Sequence, residues 1–385
     1  MNESPLEQVR LIGPKLAARS ADIEELRTLP EDVVELVRPT GAFRMYVPDD
    51  DLDGPGVTAW ESLEIIEELG YHDGAVGWCA AIGSTTSLLS SYLPDPFATE
   101  IFGSRDGIAG GFAALNGRAV PVDGGLRVSG TWQWGSGTRH CDWVGGGCLI
   151  VDEDGTPTPR ADGLAAPFVF FPAEEVEFID TWHSSGLAGT GSGDYRVTDV
   201  FVPEGRWAQT GRDRPLRSNA LARFSFFGLL ACGVAASAMG IARRSIDELA
   251  DLAGSKKPQG SSRELRERTP VQADVAIAEA TLRSAWSFLR DTVEEAWAAA
   301  ADGQVPNDEQ RRLLRLAATH ATQSAAQVAE SMYKAAGGAA VYRTSPIQRC
   351  FRDTYVATQH AMVAPRTYEV PGRMLLGLET NTAML

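Results

Sequence analysis

The chain has 385 residues, of which 44% are hydrophobic and 22% charged, more apolar material than one ordinary core needs and too much for an extended disordered protein. Its formal charge of −16 repels nucleic-acid phosphates and anionic bilayers, and no Lys/Arg block offers a local exception, so neither nucleic acid nor a membrane is an expected partner. Five scattered cysteines (Cys79, Cys141, Cys148, Cys232, Cys350) lack CxxC spacing, and together with the start MNESPLEQVR they point to reduced thiols in a cytoplasmic protein.

In chain order, the apolar spacing of EQVRLIGPKLAA, EDVVELV and AWESLEIIEEL predicts helices, and residues 1–105 read as a helical N-terminal domain. The character changes at Gly107. The glycine-rich GGFAALNGRAVPVDGGLRVSGTWQWGSG and the runs DWVGGGCLIV, PFVFFP, VEFI and YRVTDVFVP read as short strands, punctuated by turns such as Asp123-Gly124-Gly125. Residues 106–215 are therefore expected to form a central β-barrel or sandwich. Over residues 216–385 the strands give way to four long helical patterns, Phe224 to Ala253, Pro270 to Ala301, Asn307 to Ala336 and Asp353 to Leu378, which suggest a four-helix bundle. Phe224 to Ala242 is long enough to cross a bilayer, but its Ala, Gly and Ser content suits a helix packed on all sides, and a buried helix is expected.

Chemistry concentrates near the C-terminal end. His360 lies in RDTYVATQHAMVAP, where an imidazole implies proton handling near neutral pH, and helical spacing would put it on one face with Arg352, Val356 and Val363. Gly337 and Gly338 would let backbone approach a ligand closely, with arginines nearby to neutralise phosphate. Asn116-Gly117 reads as a turn. His140, Cys141 and Cys148 lack a fourth ligand, and no metal is expected.

The order helix, strand, helix, together with GAFRMYVPDDLDG, RVSGTWQWGSGTRHCDWV, DTWHSSGLAGTGSGDYRVTDVFVP and AAGGAAVYRTSPIQRCFRD, resembles the acyl-CoA dehydrogenase superfamily along nearly the whole chain. The resemblance implies an α+β multi-domain fold in which a flavin sits between the β-domain and the bundle of a homotetramer. On that basis Trp134 stacks on the isoalloxazine, Ser136 hydrogen-bonds near its N5, and Gly337 and Gly338 approach the nucleotide. Arg268 and Gln272 fall near the partner-subunit nucleotide contacts, and His72, Trp78, Asn116 and Trp182 are assigned to the substrate side.

The chain departs from a true dehydrogenase at the base. The usual glutamate position falls at about Ala361, beside His360, and Phe224 to Ala242 carries no carboxylate. The stretches TQHAMVAP and PGRMLLGLE instead look like the flavin-dependent monooxygenases of this fold, the oxygenase components of 4-hydroxyphenylacetate and secosteroid hydroxylases and the dibenzothiophene monooxygenases. That resemblance implies reduced FAD or FMN supplied by a separate flavin reductase, molecular oxygen as co-substrate, a C4a-(hydro)peroxyflavin, and a hydrophobic aromatic or polycyclic substrate. His360 would then hydrogen-bond or protonate the peroxide while Ser136 protects it. Two other readings are an atypical acyl-CoA dehydrogenase with FAD and a flavin-free scaffold.

Overall fold

The N-terminal helices are set by their caps. Ser4 and Glu7 form a reciprocal box at the start of α1 (Pro5–Leu26), which ends at Arg27 in the left-handed conformation, φ 55°. After α2 (Glu31–Val37), Thr58 and Glu61 repeat the box at α3 (Ala59–His72), and the Asp73 carboxylate accepts from the Ala75 and Val76 N–H groups to start α4 (Gly74–Ser87). Nearly every residue of α4 is buried, which makes it an internal strut, and α5 (Asp95–Phe102) completes this layer. The chain is represented by a computed structural model that describes residues 3–49, 52–209 and 215–385, so Asp50 and Asp51 of the GAFRMYVPDDLDG stretch lie outside the described residues.

The strands among the described residues are β1 (Ala109–Val122), β2 (Gly125–Trp132), β3 (Trp143–Ile150), β4 (Phe168–Pro172), β5 (Glu177–Ile179), β6 (Asp194–Pro203) and β7 (Trp207–Ala208). These seven form one sheet of order β5-β6-β2-β1-β3-β4-β7. The expected closed barrel does not form: β5 and β7, three and two residues long, end the sheet at opposite edges and are too short to complete a ring. Asn116-Gly117 is likewise not a turn, because β1 runs straight through it, with register shifts against β3 at Leu115 and Gly117. The glycine is there for packing. A Cβ would lie 2.5 Å from the Trp132 ring at Gly117, 2.6 Å at Gly130 and 2.4 Å at Gly146, so three glycines make the bed for one fully buried indole.

The remaining helices are α6 (Ala220–Arg223), α7 (Phe226–Ala253), α8 (Thr269–Ala301), α9 (Asp308–Ala336), α10 (Pro346–Ala357) and α11 (Glu369–Leu375). The apolar run lies in α7, which packs against α3, α4, α9 and α10; its most apolar window is 78% buried within the protein. Small residues are needed where it crosses α3, since a Cβ at Gly240 would sit 2.0 Å from the Glu67 carbonyl and one at Gly70 2.6 Å from the Ser237 carbonyl. The last helical pattern is shorter than its apolar spacing suggests. Helix α10 stops at Ala357, where the Thr354 and Thr358 hydroxyls bond to the backbone carbonyls of Cys350 and Tyr355, and residues 358–364 form turns. His360 therefore stands three residues beyond the helix, not on a face shared with Arg352 and Val356.

Candidate active site

Three distant segments converge on Trp78. Helix α4 carries its indole, whose Nε1–H donates to Ser136 Oγ at 3.1 Å, and the ring stands edge-on to the His360 imidazole with centroids 5.4 Å apart. Ser136 comes from the loop after β2, where Trp134 (φ 58°) and Gly137 (φ 71°) both adopt left-handed backbone. A non-glycine residue held there stores strain that the surroundings must impose. The loop is pinned to the Gly189–Gly193 segment by Gly135 N–H to the Gly193 carbonyl (2.9 Å) and Gly137 N–H to the Thr190 carbonyl (2.8 Å).

Behind Ser136 runs a row of buried hydroxyls. Ser136 Oγ lies 2.7 Å from Ser192 Oγ, which lies 2.6 Å from Thr190 Oγ1, and the Thr190 hydroxyl donates to the Leu187 carbonyl at 2.8 Å. That carbonyl also accepts from Trp182 Nε1–H at 3.1 Å, and the Leu187 N–H donates to Asp353 Oδ1 at 2.6 Å. Burial pushes the Asp353 carboxyl up to about 7, with the nearby Asp73 adding to the rise. Ser192 and Thr190 were not singled out from the sequence. Their signal is present in hindsight as hydroxyls alternating with glycines in GTGSG, a pattern that turn chemistry alone also explains.

His360 is held neutral. Burial, and then the charge of Arg315, lowers its imidazole to about 4. The Met362 N–H donates to Nδ1 at 3.3 Å, so the ring proton resides on Nε2, which makes no hydrogen bond among the described residues. Arg315, also absent from the sequence reading, is 5% exposed and donates to the Met384 carbonyl and, at 3.4 Å, to Met362 Sδ, which braces the His360 turn.

The other expected residues divide into three groups. Trp134 is 57% exposed beside Ser136, edge-on to Phe112 at 5.8 Å, so a face of its indole is open to a planar ligand. Trp182 is bound into the Leu187 end of the hydroxyl row. His72, by contrast, is wedged into the α1–α3 contact: a Cβ at Gly13 would lie 2.0 Å from its Nε2, which pairs with Glu68 at 3.1 Å. Asn116 is exposed on β1. Gly337 (φ 55°) and Gly338 follow α9, open to approach except for Lys256 Nζ, 3.9 Å from a Cβ at Gly337. Arg268 and Gln272 are exposed at the start of α8, and Gln272 Nε2 donates to the Arg266 carbonyl at 2.9 Å. None of these last four shares a hydrogen bond or ring contact with the Trp78 cluster.

These donors fit a flavin. An open indole face adjoins a buried hydroxyl, an unpaired imidazole N–H stands across Trp78, and a pair of glycines leaves backbone accessible to a nucleotide. No group of three or more His, Cys, Asp or Glu suited to a metal occurs among the described residues. The fold and this site define a flavin-handling oxidoreductase of the acyl-CoA dehydrogenase type.

Comparison with known proteins narrows the class. Residues 232–365 match the family described as acyl-CoA dehydrogenase, C-terminal domain. The chain is 32% identical to an indole-3-acetate monooxygenase of Pseudomonas putida, over 97% of this chain and 94% of that protein. It is 27% identical to the flavin-dependent monooxygenase oxygenase subunit HsaA of Rhodococcus jostii, over 99% of this chain and 100% of that protein. Its fold superposes with a TM-score of 0.90 on XiaF from Streptomyces sp., solved in complex with FADH2 and glycerol, which is 24% identical and matched over 97% of this chain and 95% of that one. The chain belongs to the oxygenase components of the two-component flavin-dependent monooxygenases built on the acyl-CoA dehydrogenase fold. It is a flavin-dependent monooxygenase, and the alternative of an atypical acyl-CoA dehydrogenase is set aside.

Proposed function

We propose that this chain accepts reduced FAD or FMN from a separate flavin reductase and, with molecular oxygen, hydroxylates an aromatic or polycyclic small molecule beside Trp78 and His360. We further assign it to the cytoplasm as a homotetramer, with residues 1–105, 106–215 and 216–385 acting as helical, β and four-helix-bundle domains. The observation that carries the reading is the convergence of Trp78, Ser136 and His360 from three separate segments. The relative named for indole-3-acetate supports a planar aromatic substrate.

When bound, the reduced flavin supplies the electrons that activate oxygen. The protein's part is to position and to dry the reaction. Trp134 and Ser136 hold the ring, one by its face and one by its hydroxyl, while Gly337 and Gly338, with Arg268 and Gln272 of a neighbouring protomer, receive the nucleotide or phosphate. The neutral His360 offers Nε2–H as a hydrogen-bond donor to the reacting oxygen atoms, and Trp78 excludes water between it and Ser136. Trp182 acts from behind, through the Leu187 carbonyl. Asn116 and His72 are assigned to the substrate side beyond this cluster.

The test is to reduce FMN or FAD with the protein anaerobically, then mix with isotopically labelled oxygen and a panel of phenols and indoles. Label in a hydroxylated product is expected. Stoichiometric hydrogen peroxide and unlabelled substrate across the panel would overturn the reading.

A further inference from the structure

We infer that Thr190 and Ser192 are positioning residues that fix the direction in which Ser136 offers its hydroxyl, and that through them the site discriminates reduced from oxidised flavin. The inference rests on the proposed meeting of Ser136 with the flavin N5.

The direction follows from counting protons along the row. Its far end is the Leu187 carbonyl, which can only accept, and the Thr190 hydroxyl lies 2.8 Å from it. With the Thr190 proton spent there, the 2.6 Å contact with Ser192 requires Ser192 to donate, and the 2.7 Å contact with Ser136 then requires Ser136 to donate to Ser192. The near end is fixed independently. Trp78 Nε1–H is a donor only, so one Ser136 lone pair accepts from it at 3.1 Å. What remains on Ser136 is a second lone pair, and the serine therefore faces a ligand as an acceptor. All three hydroxyl residues are buried, at 8%, 4% and 2% exposure for Ser136, Ser192 and Thr190, so water does not readily exchange into the row and scramble its direction.

A reduced flavin carries a hydrogen on N5 and an oxidised flavin carries a lone pair there. The reduced ring completes the row without rearrangement. The oxidised ring is served only if Ser136 turns its proton from Ser192 to N5, and however Ser192 and Thr190 then turn, one bond of the row is lost. Losing one net hydrogen bond corresponds to about a fivefold preference for the reduced form. The Leu187 carbonyl is itself well anchored for this role: Trp182 donates to it at 3.1 Å, and the Leu187 N–H is held by Asp353 at 2.6 Å with the residue in left-handed backbone, φ 49°.

Dissociation constants for reduced flavin, measured anaerobically, and for oxidised flavin give a ratio that needs no turnover. Thr190→Val keeps the shape but removes the hydroxyl that orders the row, and is expected to shrink the reduced-to-oxidised preference by about fivefold. Thr190→Ser is expected to restore it, and Ser192→Ala to abolish it even if the Thr190→Val protein folds poorly. An unchanged ratio in both Thr190→Val and Ser192→Ala, alongside a changed ratio in Ser136→Ala, would overturn the directional row while leaving the Ser136–flavin contact standing. An unchanged ratio in Ser136→Ala as well would overturn that contact and the inference with it.

Discussion

The imidazole of His360 receives the Met362 N–H on Nδ1 at 3.3 Å, and this single bond from a residue two positions on decides which nitrogen carries the proton. With Nδ1 occupied and the ring neutral, Nε2–H is the only face that His360 can present. Of the two roles open to an imidazole, hydrogen-bonding and protonating, His360 is thereby expected to take the first, as a neutral donor.

This gives a pH prediction. The His360 imidazole falls from the ordinary 6.5 to about 4 in the folded protein, so the native state binds fewer protons than the unfolded chain between those values. The stability it contributes is complete above the unfolded value and is lost as pH falls through this window. Product formed per oxygen consumed should show no His360 inflection between about pH 6 and 8, where the unshifted imidazole would titrate. Urea unfolding at pH 7 and pH 5 should show wild type losing about 2 kcal/mol more than His360→Gln. Equal losses would contradict the neutral assignment.

Asp353 carries the opposite sign. Its carboxyl rises from 3.8 to about 7, mainly through burial, so the native state holds the extra proton and stability declines as pH climbs through this range. Asp353→Asn keeps an oxygen to accept from the Leu187 N–H but cannot ionise. Its melting temperature should fall less than that of wild type between pH 5.5 and pH 8, and parallel curves would show that the buried carboxyl does not govern this region.

Trp78→Phe separates the two duties of the indole. It keeps an aromatic ring against His360 but removes the donor to Ser136, which is worth about 1 kcal/mol. Chemical denaturation should register that loss. Hydroxylated product per flavin oxidised should fall about fivefold, with the difference recovered as hydrogen peroxide.

The glycine pair after α9 offers a contrast within one motif. Gly337 has φ 55°, so Gly337→Ala should cost about 1 kcal/mol in stability from backbone strain alone. At Gly338 a Cβ meets nothing within 4 Å, so Gly338→Ala should leave the melting temperature nearly unchanged. If the nucleotide approaches this backbone, flavin affinity should nonetheless drop in Gly338→Ala. Unaltered affinity would move the nucleotide elsewhere.

Much of the fold was legible because its determinants are local. The apolar spacing of EQVRLIGPKLAA and AWESLEIIEEL marks helices within a few turns of chain, and the strand runs from Trp143 to Ile150 and from Phe168 to Pro172 are bounded by turn residues. The misreadings share a different cause. Asn116-Gly117 carries the local signature of a turn, yet the glycine is required by the Trp132 ring arriving from the next strand. The end of α10 was equally hidden, since periodic apolar residues continue past Ala357 while hydroxyls of Thr354 and Thr358 take backbone carbonyls.

The site divides in the same way. Residue types by themselves placed an imidazole near the chain's end and a Trp-Gly-Ser loop after a strand, and the resemblance of the motifs to the acyl-CoA dehydrogenase superfamily implied that the imidazole replaces a carboxylate and that a flavin enzyme is the class to expect. Only the tertiary structure decided that Trp78 ties Ser136 to His360, that His72 belongs to a helix contact, and that Ser192 and Thr190 stand in file behind the serine. The hydroxyl of Ser136 takes its direction from partners far along the chain, Ser192 at a separation of 56 and Trp78 at 58, even though the His360 tautomer is set locally by Met362. Such partners obey no short sequence period, so only packing can assign them.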